Sequence, residues 1–395
     1  MAIHLLCVGG EDHALRIPFL TALRSRGLQV TAAGTGPGAP FAKSNIPFRS
    51  YQFHRFGAAL GDRLAIGQIL QIVADCRPDI IQTFDTKPNL LGPLAIRGRV
   101  PLVRTINGMG WVFSSMELKA IVYRPIYLAM QRLAACWTSA TVFQNRADSN
   151  YFRRYRLLGK GHSAIIGSSG IDVKDFESAR AQSSGTTALR AQLGLGDAEV
   201  VLTVSRLTRQ KGIPTLLEAA RLVHASRPTV RFLLVGPRES EGPFAVHQSL
   251  IEQYAPYVIA TGARRDVPEL LGLADVFAFP TEYREGIPRV LLEAGLAGVP
   301  MVASRMPGCD DVITDGWNGH LVPPRDSRAL AAAILNLLED PARARAMGSC
   351  SVELVRRKFG LDVVADRYTQ LYHELLSPCR SGNERTLNPE PLDAR

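Results

Sequence analysis

The sequence predicts an α/β protein of two domains, each a parallel sheet with helices on both faces. Three observations carry that expectation. The chain has 395 residues, more than one hydrophobic core organises at ~100–200 residues per domain. With 46% hydrophobic and 21% charged residues, it has the make-up of a globular enzyme, which excludes disorder or collagen-like repeats as the main state. Short apolar runs also alternate with stretches of helical spacing along both halves, and that rhythm favours parallel strands joined through helices.

In the first half, Ile3–Val8 reads as a strand broken by Gly9-Gly10. Ala14–Arg26 has apolar residues at helical spacing (Leu15, Phe19, Leu20, Leu23) and stops at Gly27. Leu28–Ala33 is a second strand, followed by a glycine and proline loop to Pro40. Leu60–Cys76 reads as a helix before Arg77-Pro78, and Ile80–Thr83 and Val100–Thr105 as strands. Leu118–Ala135 is apolar with Lys119, Arg124 and Arg132 interleaved. It fits either an amphipathic helix on an anionic membrane or a domain helix with one solvated face. The second reading is preferred, because Pro125 interrupts the pattern.

Residues 178–190 are small and polar and mark the junction. The expected division is residues 1–177, a linker at 178–195, a second domain at 196–360, and a helix from 361 that packs back on the first domain before a frayed tail to 395. A second β/α series fills the second domain: strands Val200–Val204, Arg231–Val235, Val258–Thr261, Val276–Pro280 and Met301–Ala303. Helices are expected at Thr215–His224, with Pro214 at its start, and at Arg289–Ala297, Leu330–Leu338 and Leu361–Leu376.

The six cysteines are scattered, with no CxxC pair and no Cys/His cluster at zinc spacing. That reads as a reduced, cytoplasmic chain without a structural metal. Ile3–Gly9 does not read as a secretion signal, and no uncharged apolar run reaches the ~20 residues of a membrane helix. Charge is divided unevenly. Residues 1–170 hold 20 lysines and arginines against 8 aspartates and glutamates, a formal +12, and the remainder stands at −2. The first half is therefore expected to face an anionic partner. Its cations are dispersed and no nucleic-acid module is recognisable, so nucleic acid is not expected to be that partner.

Two stretches carry most of the chemistry. In Thr281-Glu282-Tyr283-Arg284-Glu285-Gly286-Ile287-Pro288-Arg289-Val290-Leu291-Leu292-Glu293-Ala294 a strand ends, a loop follows and a helix begins near Pro288. Ligands of open α/β sheets bind beyond the carboxyl ends of strands, and a helix start offers N–H groups to a phosphate. Glu285 and Glu293 are then acceptors for vicinal hydroxyls of a sugar or ribose. In Val204-Ser205-Arg206-Leu207-Thr208-Arg209-Gln210-Lys211-Gly212, Arg206 and Lys211 follow a strand and are placed to neutralise a departing diphosphate. Gly9-Gly10 and Asn107-Gly108-Met109-Gly110 follow strands of the first half, where each fits a phosphate approach, a cleft wall or a plain turn.

The second-half residues, in order, are Val204-Ser205-Arg206, Lys211-Gly212, Gly236, Thr261-Gly262-Ala263-Arg264, Glu285-Gly286-x-Pro288, Glu293-Ala294, Gly298-x-Pro300 and Gly316-x-Asn318-Gly319. This order resembles the retaining glycosyltransferases of family 4, whose fold is called GT-B. The likeness is specific over residues 200–325 and looser over 1–170. In detail the chain is similar to bacterial enzymes that extend capsule, O-antigen or lipid-linked glycans. The resemblance implies two Rossmann-like domains facing across a cleft. It also implies transfer of a sugar from a nucleoside diphosphate, uridine by preference, to a hydroxyl of a polyprenyl-diphosphate-linked saccharide.

The resemblance also implies roles. Glu285 would contact the donor sugar near the reacting carbon and Glu293 the ribose. Arg206 and Lys211 would bind the diphosphate, with Gly10 and the backbone of Gly286, Ile287, Pro288, Arg289, Val290 and Leu291. Gly262 and Arg264 to Val267 would line the base pocket. On the acceptor side it implies Asn107 and Gly108, with Asp85 in a loop where relatives often carry histidine. No catalytic metal or other cofactor is expected, and Asp310-Asp311 reads as a solvated pair. A sugar-nucleotide epimerase or a phosphorylase uses a similar two-domain cleft and remains open as an alternative, as does a membrane scaffold. The basic first half would meet the inner face of the cytoplasmic membrane and receive a lipid-linked acceptor.

Overall fold

The computed structural model describes residues 2–52, 59–109, 113, 118–181 and 185–377. The chain divides into two compact units, one formed by residues up to Gly170 together with the helix Leu361–Leu376, the other by Ile171–Gly360.

The first unit is built on a seven-stranded sheet. Its strands are β1 (His4–Val8), β2 (Gln29–Gly34), β3 (Phe48–Ser50), β4 (Ile80–Phe84), β5 (Leu102–Ile106), β6 (Ala140–Phe143) and β7 (His162–Ile165), in the order β3-β2-β1-β4-β5-β6-β7. All its pairings are parallel. The second unit repeats the plan with β8 (Val200–Val204), β9 (Arg231–Val235), β10 (Val258–Gly262), β11 (Val276–Phe279), β12 (Met301–Ser304) and β13 (Gly319–Val322), in the order β10-β9-β8-β11-β12-β13. The central strands β4, β5, β8 and β11 are buried along their whole length. Helices cover both faces of such sheets, so β8 and β11 are almost wholly apolar, whereas β4 and β5 bury Gln82, Thr83, Arg104 and Thr105 among their apolar residues.

In each unit the first strand has neighbours on both sides, one continuing down the sheet and the other starting the opposite wing. The strand order reverses at β1/β4 and at β8/β11. A crevice opens at such a reversal, beyond the carboxyl ends of the strands, and that is where ligands of this architecture bind.

Several boundaries differ from expectation. β5 begins at Leu102 because Pro101 has no N–H to give a ladder; its carbonyl instead accepts from Ile81 N–H at 2.9 Å. Ala14–Arg26 divides into a 3₁₀ turn Glu11–Arg16 and the helix Ile17–Arg24, which has Pro18 in its first turn. Residues 178–195 do not form a linker. They hold the end of the helix Val173–Ala181 and the helix Thr186–Gln192, with Leu189 and Leu195 buried in the core of the second unit. Their small polar composition hides these apolar anchors, and the chain passes between units at Gly170–Ile171. Leu118–Ala135 is one helix that runs through Pro125. Pro125 lies on the exposed side, where water can satisfy the carbonyl it leaves unpaired. The tail beyond Ser377 and Gly110 lie outside the described residues.

The helix Leu361–Leu376 fills the first unit's core with Val364, Ala365, Tyr368, Leu371 and Tyr372. Its two tyrosine hydroxyls reach the middle of the sheet: Tyr368 meets Thr105 Oγ1 and Tyr372 donates to Gln82 Oε1, both at 3.0 Å. At the surface Arg26 Nε donates to Asp366 at 2.5 Å and its Nη2 to Asp362 at 3.3 Å. Because Tyr368 is fully buried, Tyr368→Ala is expected to destabilise the first unit by about 3–5 kcal/mol. Urea titration should show the first transition moving to lower denaturant, and an unmoved midpoint would show that the helix is not integral to that core.

Candidate active site

The β8/β11 crevice of the second unit holds the two residues that the sequence reading put foremost. β11 ends at Phe279, one residue short of the expected Pro280; the loop Pro280–Ile287 follows, and the helix Arg289–Leu296 starts after Pro288. The opposite loop leaves β8, passes Ser205 and Arg206, and makes a single 3₁₀ turn at Arg209–Lys211 before Gly212. Glu282 N–H donates to the Gln210 carbonyl at 2.9 Å, which ties the two loops together. Gly212, at φ 69°, stands where a Cβ would come 1.8 Å from the Pro280 carbonyl. Gly308, at φ 90°, stands where a Cβ would come 1.9 Å from the carbonyl of Gly286. Neither approach tolerates a side chain, so two glycines set how closely these loops meet.

The result is a direct ion pair. Lys211 Nζ donates to Glu285 Oε1, with side chains only 12% and 15% exposed. Thr281 Oγ1 donates to the same oxygen at 3.3 Å and accepts from Tyr283 N–H at 3.2 Å. The ammonium also lies 5.4 Å from the Phe279 ring centre and 5.7 Å from that of Tyr283, within the range of a cation–π attraction. Below the loop, Cys309 is fully buried. Burial first, and then the Glu285 charge, push its thiol well above the usual range, so it stays protonated.

The helix Arg289–Leu296 has no side-chain cap. Leu291 N–H donates to the Pro288 carbonyl at 3.0 Å and Pro288 has no N–H, so Arg289 and Val290 remain as first-turn donors. This narrows the backbone set expected from sequence. Glu293, one turn on, accepts from Arg289 Nε at 2.9 Å through Oε1. Burial pushes the Glu293 carboxyl above the ordinary range, with Arg289 partly offsetting it. Arg206 goes elsewhere: its Nη1 donates to Glu241 at 2.9 Å and not to the Lys211–Glu285 pair. At the end of β10, Gly262 (φ 73°) has open space where a side chain would point. Beside it Arg264 is paired with Asp266, and Val267 opens a short helix.

A second cluster lies at the β1/β4 reversal of the first unit. Asp85, at φ 69°, sits just after β4. Its carboxylate accepts from Gly10 N–H at 2.9 Å, from Arg16 Nη2 at 2.7 Å and Nη1 at 3.2 Å, and from Asn107 Nδ2 at 3.2 Å. Gln144 Nε2 donates to Asn107 Oδ1 at 3.0 Å. One carboxylate thus joins the loops after β1, β4 and β5, and Gln144 adds the loop after β6. Gly10, expected to help bind the donor, has its N–H engaged by Asp85, which favours the plain-turn reading. Gly108, at φ 115°, continues the β5 loop. Burial pushes the Asp85 carboxyl up, but the Arg16 charge, its hydrogen bonds and the Gly10 N–H outweigh burial and hold it below the usual range.

The comparisons with known proteins place this geometry. Residues 18–168 match the family model "Glycosyltransferase Family 4" and residues 198–340 the model "Glycosyl transferases group 1". The chain belongs to the group 1/family 4 glycosyltransferases. It is 25% identical over 310 residues to the N,N'-diacetylbacillosaminyl-diphospho-undecaprenol alpha-1,3-N-acetylgalactosaminyltransferase of Campylobacter jejuni, covering 78% of this chain and 80% of that one. It is 25% identical over 305 residues to the UDP-Gal:alpha-D-GlcNAc-diphosphoundecaprenol alpha-1,3-galactosyltransferase of Escherichia coli, covering 75% and 76%. The crystal structure of HepE from Anabaena in complex with UDP superimposes with a TM-score of 0.76 at 22% identity, over 95% of this chain and all of that one. The fold is GT-B, and the enzyme is a nucleotide-sugar-dependent glycosyltransferase. Among the described residues, no helix is long and apolar enough to cross a membrane.

Each unit has residues at its crevice that sequence reasoning passed over. Thr281, Tyr283 and Phe279 enclose the lysine, and Glu241 holds Arg206, 35 positions away. In the first unit, His13 lies buried after β1, and neither ring nitrogen has a hydrogen-bond partner among the described residues. Burial, helped by the Arg16 charge, pushes its pKa down to about 3, so it is a neutral histidine at physiological pH.

The Asp85 cluster yields a pH prediction. Asp85→Asn is expected to lower stability at neutral pH by about 3 kcal/mol, the scale for removing one partner of a buried ion pair. A carboxyl whose folded value lies below its unfolded value stabilises fully above the unfolded value near pH 4 and loses that contribution as pH falls through the folded one. The gap between wild type and variant should therefore close on acidification below about pH 4. Thermal melts of both proteins from pH 7 to pH 3 measure it, and a gap independent of pH would remove the ionic role.

Proposed function

We propose that this glycosyltransferase moves a sugar with retained configuration from a UDP-sugar to a hydroxyl of a polyprenyl-diphosphate-linked saccharide. The observation that carries the proposal is the Lys211–Glu285 contact beside the uncapped start of the helix Arg289–Leu296. Two relatives support the acceptor class, since their names specify undecaprenyl diphosphate carriers, and one of these names a UDP-sugar donor.

Lysine has three N–H donors. One holds Glu285, and the others are directed at the donor diphosphate, where the N–H groups of Arg289 and Val290 and the positive end of the helix add to the field. In a site walled by aromatic rings these charges act through less water than at a surface, so they stabilise the departing diphosphate more strongly. Arg206 exchanges Glu241 for the diphosphate when donor binds. Glu285 orients the sugar hydroxyls near the reacting carbon. Glu293 keeps Oε2 for the ribose while Oε1 stays on Arg289. Gly262, Arg264 and Val267 flank the base. The loops that carry Asn107 and Gly108 serve the acceptor side, with Asp85 holding them in place.

In the chemical step the bond from the anomeric carbon to the phosphate oxygen breaks with oxocarbenium character. The acceptor hydroxyl forms the new bond on the same face and passes its proton to the departing phosphate oxygen. The products are the extended glycan and UDP. We assign no metal to this step.

Glu285→Gln and Lys211→Ala are each expected to lower transfer at least ~10²-fold, the loss typical of one transition-state partner. Labelled donor assayed with and without a lipid-linked acceptor, in excess chelator, measures this. Near-normal turnover in either folded variant would remove its role. Donor conversion without acceptor would indicate an epimerase, and a requirement for inorganic phosphate would indicate a phosphorylase. Among nucleoside diphosphates, UDP is expected to raise the melting temperature most, because a ligand of the folded state stabilises it in proportion to occupancy.

A further inference from the structure

We propose that the outward face of the helix Leu118–Ala135, with the arginines beside its C-terminal half, is a docking surface for an anionic lipid bilayer. The proposal deepens the reading of a lipid-linked acceptor and rests on it for the purpose of the contact, but the observations lie in the helix itself.

This helix carries apolar side chains on its outward face as well as on its inward one. A surface helix ordinarily turns its apolar stripe to the core and its polar residues to water. Here Leu118 is 76% exposed, Val122 57%, Ile126 53% and Leu133 47%. At 3.6 residues per turn these four, with exposed Ala129, fall within an arc of about 80°. The opposite side is buried through Ala120, Ala134, Ala135 and a glutamine, Gln131. Gln131 Oε1 accepts from Arg104 Nη1 at 2.7 Å, and Arg104 also donates to Thr141 Oγ1 at 3.0 Å and to the Leu157 carbonyl at 2.7 Å. A polar anchor thus fixes the helix from inside and presents the apolar stripe outward. Patches of this kind on a soluble unit mark an interaction surface.

The charge around the stripe selects the occupant. Residues 118–160 contain eight lysines and arginines and a single acid, Asp148. Asp148 is buried and engaged in the cap of the next helix, where Asn145 Nδ2 donates to it at 3.0 Å. Arg132 Nη2 donates to the Tyr155 carbonyl at 3.2 Å, which brings the C-terminal half of the stripe beside exposed Arg153, Arg154 and Arg156. None of these four arginines pairs with a carboxylate among the described residues. A second copy docking face to face would set the same cations against each other, because a two-fold contact repeats one patch on both sides. A bilayer interface with anionic headgroups accepts both parts: the apolar side chains enter ~5–10 Å to the acyl boundary, and the cations stay among the headgroups.

The test is co-sedimentation of the full chain with phosphatidylcholine vesicles, with and without phosphatidylglycerol. Binding is expected to be at least about tenfold stronger with the anionic lipid and to weaken with added salt. Val122→Glu with Ile126→Glu should reduce it about tenfold or more with an unchanged circular-dichroism melt. The Arg153→Ala, Arg154→Ala, Arg156→Ala triple variant should bind both vesicle types alike. Wild-type binding that ignores anionic lipid, or is unaffected by the glutamates, would overturn the proposal. So would a concentration-dependent dimer that the glutamates dissolve without any vesicle binding. Vesicle binding in a chain that fails to use a lipid-linked acceptor would leave the surface standing and remove the acceptor reading.

Discussion

The contact between Lys211 and Glu285 is the constraint on which the rest of the second unit depends. The two residues are 74 positions apart and meet only because β8 and β11 lie side by side where the strand order reverses. An ammonium and a carboxylate so well covered would each be costly alone, and pairing offsets much of that penalty. The pairing in turn is framed by backbone contacts at Gly212–Pro280 and Gly286–Gly308, where the loops after β8, β11 and β12 meet. The sheet order therefore brings the loops together, the glycines let them close, and the charges hold them. The Thr281 hydroxyl and the rings of Phe279 and Tyr283 then orient a charged pair that solvent reaches only narrowly. A field fixed before substrate arrives needs no rearrangement during the reaction.

The first unit carries the same device in a different chemical state. Arg16 follows β1 and Asp85 follows β4, just as Lys211 follows β8 and Glu285 follows β11. Both pairs stand at the reversal point of equivalent sheets. They differ in what remains available. Asp85 is saturated by Arg16, Gly10 and Asn107 and so acts as a staple across three loops. Lys211 is held by one carboxylate oxygen and two ring faces, which leaves its ammonium with donors to offer. This duplication is invisible to direct alignment of the halves, because it preserves the position of a cation and an anion in the sheet order but neither the residue types nor the loop lengths.

What could be read from the sequence follows from the range of the interactions involved. Strands buried on both faces, such as Val200–Val204 and Val276–Phe279, announce themselves as continuous apolar runs. Short or edge strands do not: β3 is Phe-Arg-Ser on the rim, and β13 is Gly-His-Leu-Val, and each becomes a strand only through its neighbour. Lys211 and Glu285 were legible as candidates because each lies in a loop that follows a buried strand. The Arg206–Glu241 pair was not, since it joins loops after different strands, and no local pattern reports on such a contact. The saturation of Gly10 by Asp85 was hidden for the same reason, across 75 positions. The junction at 178–195 misled because small polar residues outnumber the leucines that anchor it.

The uneven charge of the chain has a structural counterpart. In the second unit Arg227 meets Glu199, Arg264 meets Asp266, Arg289 meets Glu293, Arg305 meets Asp315, Arg325 meets Glu282 and Arg356 meets Glu177. That unit cancels its charge locally and keeps a nearly neutral exterior around Lys211. In the first unit Asp85 and Asp148 are engaged in loop and cap hydrogen bonds, Asp62 meets Lys87, and Asp362 and Asp366 both meet Arg26, yet lysines and arginines still outnumber the acids. Its buried Arg104 is held by neutral acceptors, and burial lowers its pKa to about 10, still far above neutrality. A unit arranged in this way keeps a net positive potential whatever its side-chain rotamers do. Long-range attraction of that kind falls off within about 8 Å at physiological salt, so it acts on a charged surface that is already close.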